Sequence, residues 1–238
     1  TVVLPVPVSP MSLHLVFLGN PGTGKTTVAR LLAKIYRAIG VLSKGQLVEV
    51  DRSGLVAGFV GQTALKTGEV IEKALGGVLF IDEAYALNGK SENDFGQEAI
   101  DTILKAMEDH RDDLVVIVAG YTDLMDRFIH SNPGLESRFN RFLLFEDYTS
   151  DEMLDIFKMQ CKKGCYQLSD GVEELVRDYI TEENGDPETF GNARGVRNIF
   201  EHILVAQNNR LAAMETVTKE DLMTLTQDDV LHARGKLD

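Results

Sequence analysis

Gly19-Asn20-Pro21-Gly22-Thr23-Gly24-Lys25-Thr26 follows the apolar run Leu13 to Leu18 and precedes a long amphipathic segment. No other stretch narrows the possible folds as far. The spacing GxxxxGK[ST] lets glycines curl the backbone until several N–H groups point inward and cradle phosphate oxygens. A helix starting at such a loop adds its positive end. In this arrangement Asn20, Pro21, Gly22, Thr23, Gly24, Lys25, Thr26 and Thr27 surround the phosphates. Lys25 reaches the β- and γ-phosphates, and the Thr26 hydroxyl is a Mg²⁺ ligand. A glycine-rich turn that binds nothing can match the same pattern, so the flanks decide. Val28, Leu31, Leu32, Ile35, Tyr36 and Ile39 recur at helical spacing after the loop, and Gly40 is placed to stop that helix.

The rest of the chain extends this strand–loop–helix unit. Short apolar runs at Leu47–Val50 and Val78–Ile81 flank a helical segment from Thr63 to Leu75, the rhythm of a parallel α/β sheet. Ile100, Ile103, Leu104 and Met107 then share one helical face, and Leu114–Val118 is too apolar for a strand with one wet face. Phe142–Phe145 makes a fifth short strand. From Thr149 onward the pattern reads as helical throughout, with segments near Ser150–Lys162, Ser169–Ile180, Ala193–Leu211 and Gln227–Arg234. The expected organisation is an extended linker over 1–12, carrying Pro5, Pro7 and Pro10, an α/β core over 13–148, and a small all-helical domain over 149–238.

The chain of 238 residues, 44% hydrophobic, is long enough for one large or two smaller cores. Its net charge of −13 opposes non-specific attraction to DNA or an acidic membrane face. No apolar run approaches the roughly 20 residues that span a bilayer, and the start lacks a signal-peptide layout, so the expected setting is the cytoplasm. Cys161 and Cys165, the only cysteines, have no third or fourth ligand nearby and read as reduced thiols.

A second chemical element is Val78-Leu79-Phe80-Ile81-Asp82-Glu83, an apolar strand ending in two acids, as in a Walker B element. Asp82 would hold Mg²⁺ through its water shell, and Glu83 would orient and deprotonate the attacking water. Acids after a strand can simply cap the next helix. Downstream of a phosphate loop in one α/β domain, the catalytic reading prevails.

With these elements in place, GNPGTGKTTVAR, GGVLFIDEAYAL, FGQEAID, DLVVIVAGY, SNPGLESRF and GNARGVRNIFE together resemble the AAA+ ATPases, in particular the group containing red-type rubisco activase and stage V sporulation protein K. The resemblance runs from about Leu13 to the C-terminus. It implies a P-loop NTPase sheet of order 5-1-4-3-2 with helices on both faces, a C-terminal all-helical lid, a hexameric ring, and ATP bound between subunits. Arg138 sits where the group's arginine finger reaches a neighbour's γ-phosphate, with Arg141 as a second candidate. Arg194 matches the sensor-2 arginine. Where the superfamily has Asn or Thr after the fourth strand, this sequence has Ala119-Gly120-Tyr121, so Tyr121 is the candidate for that contact or a packed loop residue. Gly58-Phe59-Val60-Gly61 resembles an aromatic pore loop that grips polypeptide.

The function these readings imply is an ATP-hydrolysing ring motor, with ATP and Mg²⁺, that remodels or threads a protein client. Alternatives are a slow nucleotide-dependent assembly scaffold, a secretion-associated ATPase without threading, and a clamp-loader-like DNA factor. Glu83 and Phe59 argue against the first, and the acidic balance against the last.

Overall fold

The computed structural model describes residues 13–59, 61–89 and 94–236. The expected linker over 1–12 and Val60 of the aromatic loop lie outside the described residues. The chain divides into two compact units: Gly24–Phe145 together with the chain up to Gly19, and Glu146–Asp238 together with Asn20–Thr23. The tip of the phosphate loop therefore belongs with the second unit.

In the first unit the elements are β1 (Leu15–Leu18), α1 (Lys25–Ala38), β2 (Leu47–Val50), a short α2 (Arg52–Leu55), α3 (Gln62–Ala74) and β3 (Val78–Ile81). A 3-10 turn (Ala84–Leu87), α4 (Gly96–Asp109), β4 (Val115–Gly120), α5 (Thr122–His130), α6 (Pro133–Arg138) and β5 (Phe142–Leu144) come next. The strands form one parallel sheet of order β2-β3-β4-β1-β5, the expected order read from its other edge.

Side-chain alternation along the strands divides the core in two. Val16, Leu79, Ile81, Val116 and Val118 join residues of α3 to α6 on one face. Phe17, Val78, Phe80, Val115 and Ile117 meet Ala29 and Ala33 of α1 on the other. Every residue of β3 and β4 is buried, as their unbroken apolar runs predict. The face of α1 differs from expectation. Its two buried residues are Ala29 and Ala33, while Leu31, Ile35 and Ile39 are exposed. Alanines let the helix axis approach the sheet beside Phe17 and Phe80, and only Val28, Leu32 and Tyr36 of the predicted stripe pack against that cluster.

The second unit contains α7 (Ser150–Lys163), β6 (Gln167–Leu168), α8 (Val172–Glu183), α9 (Pro187–Phe190), α10 (Ala193–Ala212), α11 (Lys219–Met223), β7 (Thr224–Leu225) and α12 (Gln227–Ala233). Its core joins Met153, Phe157, Val176, Ile180, Val196, Ile199 and Ile203, with Phe200 stacked edge-on against Phe157 and Tyr166. Capping boxes at Thr149, Thr218 and Thr226 start three of its helices. The reading of this region as wholly helical needs one correction, because β6 and β7 pair in parallel over two residues each. Pairs so short carry no periodic signal. Cys161 is buried in this core, and burial pushes its thiol up to about 12, leaving it inert at neutral pH.

Candidate nucleotide-binding site

Because the strands of the first unit are parallel, the segments leaving β1, β3 and β4 emerge along one edge of the sheet. Gly19 donates its N–H to Gly120 O at 3.1 Å and Asp82 donates its N–H to Val50 O at 2.9 Å, so the loop start, the paired acids and Tyr121 are brought to that edge. α1 begins at Gly24, in the left-handed region at φ 92°, with no side-chain cap and no acid in its first turn. The first N–H groups of a helix have no intrahelical partner. Uncapped and uncompensated, this fourteen-residue helix suits an anion at its N-terminus. Lys25 folds over the loop, its Nζ donating to Gly19 O at 2.7 Å. The Thr26 hydroxyl donates to Glu49 Oε1 at 3.2 Å.

Asp82 Oδ1 accepts the Glu83 N–H at 3.1 Å. Glu83 itself has φ 48° and ψ 43°, a left-handed conformation that costs a non-glycine residue about 1–2 kcal/mol. The backbone thus turns sharply at Glu83 before the 3-10 turn, and the Glu83 side chain is left exposed. Strain of this kind persists where surrounding structure enforces it, and it concentrates at functional sites. Oxygen donors at Thr26 and Asp82 fit Mg²⁺, which is held by one or two protein groups plus phosphates and water. The described residues contain no cluster of three or more His, Cys, Asp or Glu able to cage a metal.

Tyr121 begins α5, and its ring lies 6.2 Å from that of Tyr85, which follows Ala84 in the 3-10 turn. Arg138 ends α6, its Nη2 3.5 Å from Glu108 Oε2 and its Nη1 3.4 Å from Gly134 O. Arg141 is half-buried, and its carbonyl accepts the Val16 N–H at 2.8 Å. Phe59 is 71% exposed in the loop before α3.

In the second unit the tip of the phosphate loop is gripped through its carbonyls. Pro21 O accepts from Asn192 Nδ2 at 3.3 Å, Gly22 O from the Ala193 N–H at 3.2 Å, and Thr23 O from the Tyr148 hydroxyl at 3.0 Å. Gly22 has φ 75°, and a β-carbon there would collide with the Gly191 carbonyl, so both conformation and space demand glycine. Asn20 Nδ2 reaches both carboxylate oxygens of Asp147, at 3.1 and 3.0 Å. Arg194, exposed in the first turn of α10, is next to the Ala193 amide that holds Gly22 and therefore lies beside the loop tip. Arg197 is exposed one turn on, and Val196, Ile199 and Ile203 face the core as their spacing predicts.

Sequence reasoning missed Asn192, Asp147, Tyr148 and Glu49. A polar residue inside a GNAR run or a lone acid in a strand carries no signal of its own. Their roles come from pairings that span up to 171 residues.

Residues 15–147 match the model of the ATPase family associated with various cellular activities (AAA), and residues 149–237 match that of the AAA lid domain. The chain belongs to the AAA ATPase family. As an AAA protein it binds nucleotide and hydrolyses ATP. Stage V sporulation protein K of Bacillus subtilis (strain 168) is 46% identical over 225 residues, covering 94% of this chain and 70% of that protein. The chloroplastic ribulose bisphosphate carboxylase/oxygenase activase of Cyanidioschyzon merolae is 47% identical over 225 residues, covering 93% and 76%. Among solved structures, the FIGL-1 AAA domain in complex with ADP aligns with a TM-score of 0.65 at 18% identity, covering 95% of this chain and 72% of that one, a likeness of fold. Among the described residues no helix is long and apolar enough to cross a membrane.

Proposed function

We propose that this AAA ATPase is the motor unit of a ring, six copies of itself, that uses ATP hydrolysis to pull on or remodel a protein client. The observation that carries the reading is Phe59, 71% exposed between Gly58 and Gly61, where a β-carbon would meet nothing within 4 Å. An aromatic ring held in open space on a loop with glycine hinges grips polypeptide by non-directional apolar contact and tolerates many sequences. The name of one relative, an activase of an enzyme, supports a protein client over a nucleic acid, as does the net charge of −13.

ATP binds between neighbouring copies in the cytoplasm. The N–H groups at the start of α1 and the loop hold the phosphates, and Lys25 exchanges Gly19 O for the β- and γ-phosphate oxygens. Thr26 and Asp82 would hold Mg²⁺, which would supply charge neutralisation during phosphoryl transfer. Glu83 orients the attacking water and takes its proton. Arg138 of a neighbouring copy, and Arg141 as a second candidate, stabilise the charge on the transferring phosphoryl group. Arg194 contacts the γ-phosphate from the lid, and the Tyr121 hydroxyl hydrogen-bonds the phosphate or water.

The test is ATP turnover per chain against protein concentration, with sedimentation on the same ATP-bound samples. Specific activity rising in step with ring formation is expected. A rate independent of concentration in a monomer overturns the shared site, and ATP binding without turnover leaves a scaffold.

A further inference from the structure

We propose that Arg52 is a positioning residue that couples the turn carrying Glu83 to the loop carrying Phe59. This rests on the roles assigned to those two residues under the proposed function. Arg52 opens α2, directly after β2, with Asp51 capping that short helix through a bond from the Gly54 N–H at 3.1 Å. Its guanidinium spans two elements at once. Nη1 donates to Ala86 O at 2.6 Å, and Nη2 donates to Asp94 Oδ1 at 2.7 Å. The same carboxylate oxygen accepts the Gly96 N–H at 2.8 Å, at the start of α4. Asp94 is 15% exposed, and the hydrogen bond from Arg52 holds its carboxyl below the usual range, so the pair stays ionised.

The path back to Glu83 is short. The Ala86 N–H donates to Glu83 O at 2.9 Å, while the Ala86 carbonyl accepts from Arg52. One residue therefore bonds the strained Glu83 on one side and Arg52 on the other. A backbone that leaves φ 48° at Glu83 cannot keep the Ala86 carbonyl in place, and Arg52 must follow or lose its bond.

The path forward to Phe59 is equally direct. Lys66 Nζ donates to Ser53 O at 2.6 Å and Val56 O at 3.1 Å, and Thr67 Oγ1 donates to Leu55 O at 3.1 Å. Thr63 Oγ1 accepts the Ala57 N–H at 2.9 Å. Residues 52–57 are thus held as one block, and the first freedom comes at Gly58, where Phe59 begins to project. Motion of Arg52 therefore carries this whole block, and with it the point at which the Phe59 loop is attached. A lysine here has a single point charge and cannot span Ala86 O and Asp94 as the guanidinium fork does.

The chain has no tryptophan, so Phe59→Trp gives a single reporter in the full chain. The indole emission and its quenching by acrylamide are compared with ATP and with ADP bound, using Glu83→Gln to keep ATP intact. The expected result is a clear difference between nucleotides that falls at least fivefold on adding Arg52→Ala or Arg52→Lys. It should keep more than half its size with Asp94→Asn, which retains the accepting oxygen. ATP affinity, read with a fluorescent ATP analogue on chains with Phe59, should change less than twofold in Arg52→Ala. An undiminished indole signal difference in Arg52→Ala overturns the proposal, as does a parent signal blind to nucleotide. A tenfold loss of ATP affinity alongside the lost signal also overturns it, because Arg52 would then support the nucleotide site itself. Phosphate release by the Phe59→Trp chain with Glu83 intact is measured in parallel. Failure of the motor reading shows there as absent turnover, whereas failure of coupling shows as turnover with an indole blind to nucleotide.

Discussion

The Asn192 amide donates to Asp147 Oδ1 at 2.8 Å, and that carboxylate also receives the Asn20 amide, so one buried asparagine ties the tip of the phosphate loop to the start of the lid. Asn192 is fully buried at φ 53° and ψ −123°, a positive-φ conformation outside the left-handed helical region that glycine adopts far more readily than any other residue. Its amide oxygen also accepts the Tyr148 N–H at 2.9 Å. Asn192→Ala removes these bonds while keeping a side chain on a backbone that disfavours one, and should cost about 2–4 kcal/mol in urea unfolding. Asn192→Gly loses the same bonds without the strain and should cost about 1 kcal/mol less. Equal losses in the two variants would show that the backbone conformation contributes nothing.

Glu83 pairs a catalytic assignment with a conformation it does not favour. Glu83→Gln should lower ATP turnover at least a hundredfold while nucleotide still binds. Glu83→Gly should abolish turnover too, yet raise stability by about 1 kcal/mol through relief of the left-handed strain, a rise of about 2–4 °C in Tm for a chain this size. A wild-type rate in Glu83→Gln ends the general-base assignment, and an unchanged or lower Tm in Glu83→Gly ends the strain argument.

The legible part of the sequence is the part governed by local rules. The loop at Gly19–Thr26 needs glycine for its backbone, and β3 and β4 are buried on both faces, so their residue types had little freedom. The sheet order came with the family resemblance to the motif set. The hidden part depends on pairings that no local pattern encodes. Arg52 and Asp94 are 42 positions apart. α1 hid its real contact face because alanines touch the sheet, whereas periodicity weights the larger Leu31, Ile35 and Ile39. The two-residue strands β6 and β7 are too short to show a helical or strand pattern.

Arg138 tests the ring by complementation. Its ion pair with Glu108 spans 3.5 Å between side chains 30% and 64% exposed, so removing it should cost less than about 1 kcal/mol of stability. Arg138→Ala should nevertheless lower turnover at least a hundredfold if the guanidinium acts on a neighbour's phosphate. Mixing Arg138→Ala with Glu83→Gln chains then creates some interfaces with both groups intact, and turnover should exceed the sum of the separate variants. Additive rates in the mixture, or full activity of Arg138→Ala alone, would exclude a finger acting in trans.

His14 should make stability depend on pH in a window set by its burial. It is 7% exposed, its Nδ1 accepts the Val116 N–H at 2.9 Å, and its ring lies 6.1 Å from that of Phe139. Burial, reinforced by the nearby Arg138 charge, pulls the imidazole down from 6.5 to about 4. The folded chain therefore binds its proton less readily than the unfolded chain. This stabilisation is complete above the unfolded value and is lost as pH falls from about 6.5 to about 4. The full span corresponds to about 3 kcal/mol. Protonation would also displace the Val116 N–H from Nδ1, so the bond and the charge state are lost together. His14→Asn keeps an acceptor for that N–H but does not titrate. The difference in urea unfolding free energy, wild type minus His14→Asn, should shrink by about 3 kcal/mol between pH 7 and pH 4. Parallel profiles across that range would mean the buried imidazole does not govern acid stability.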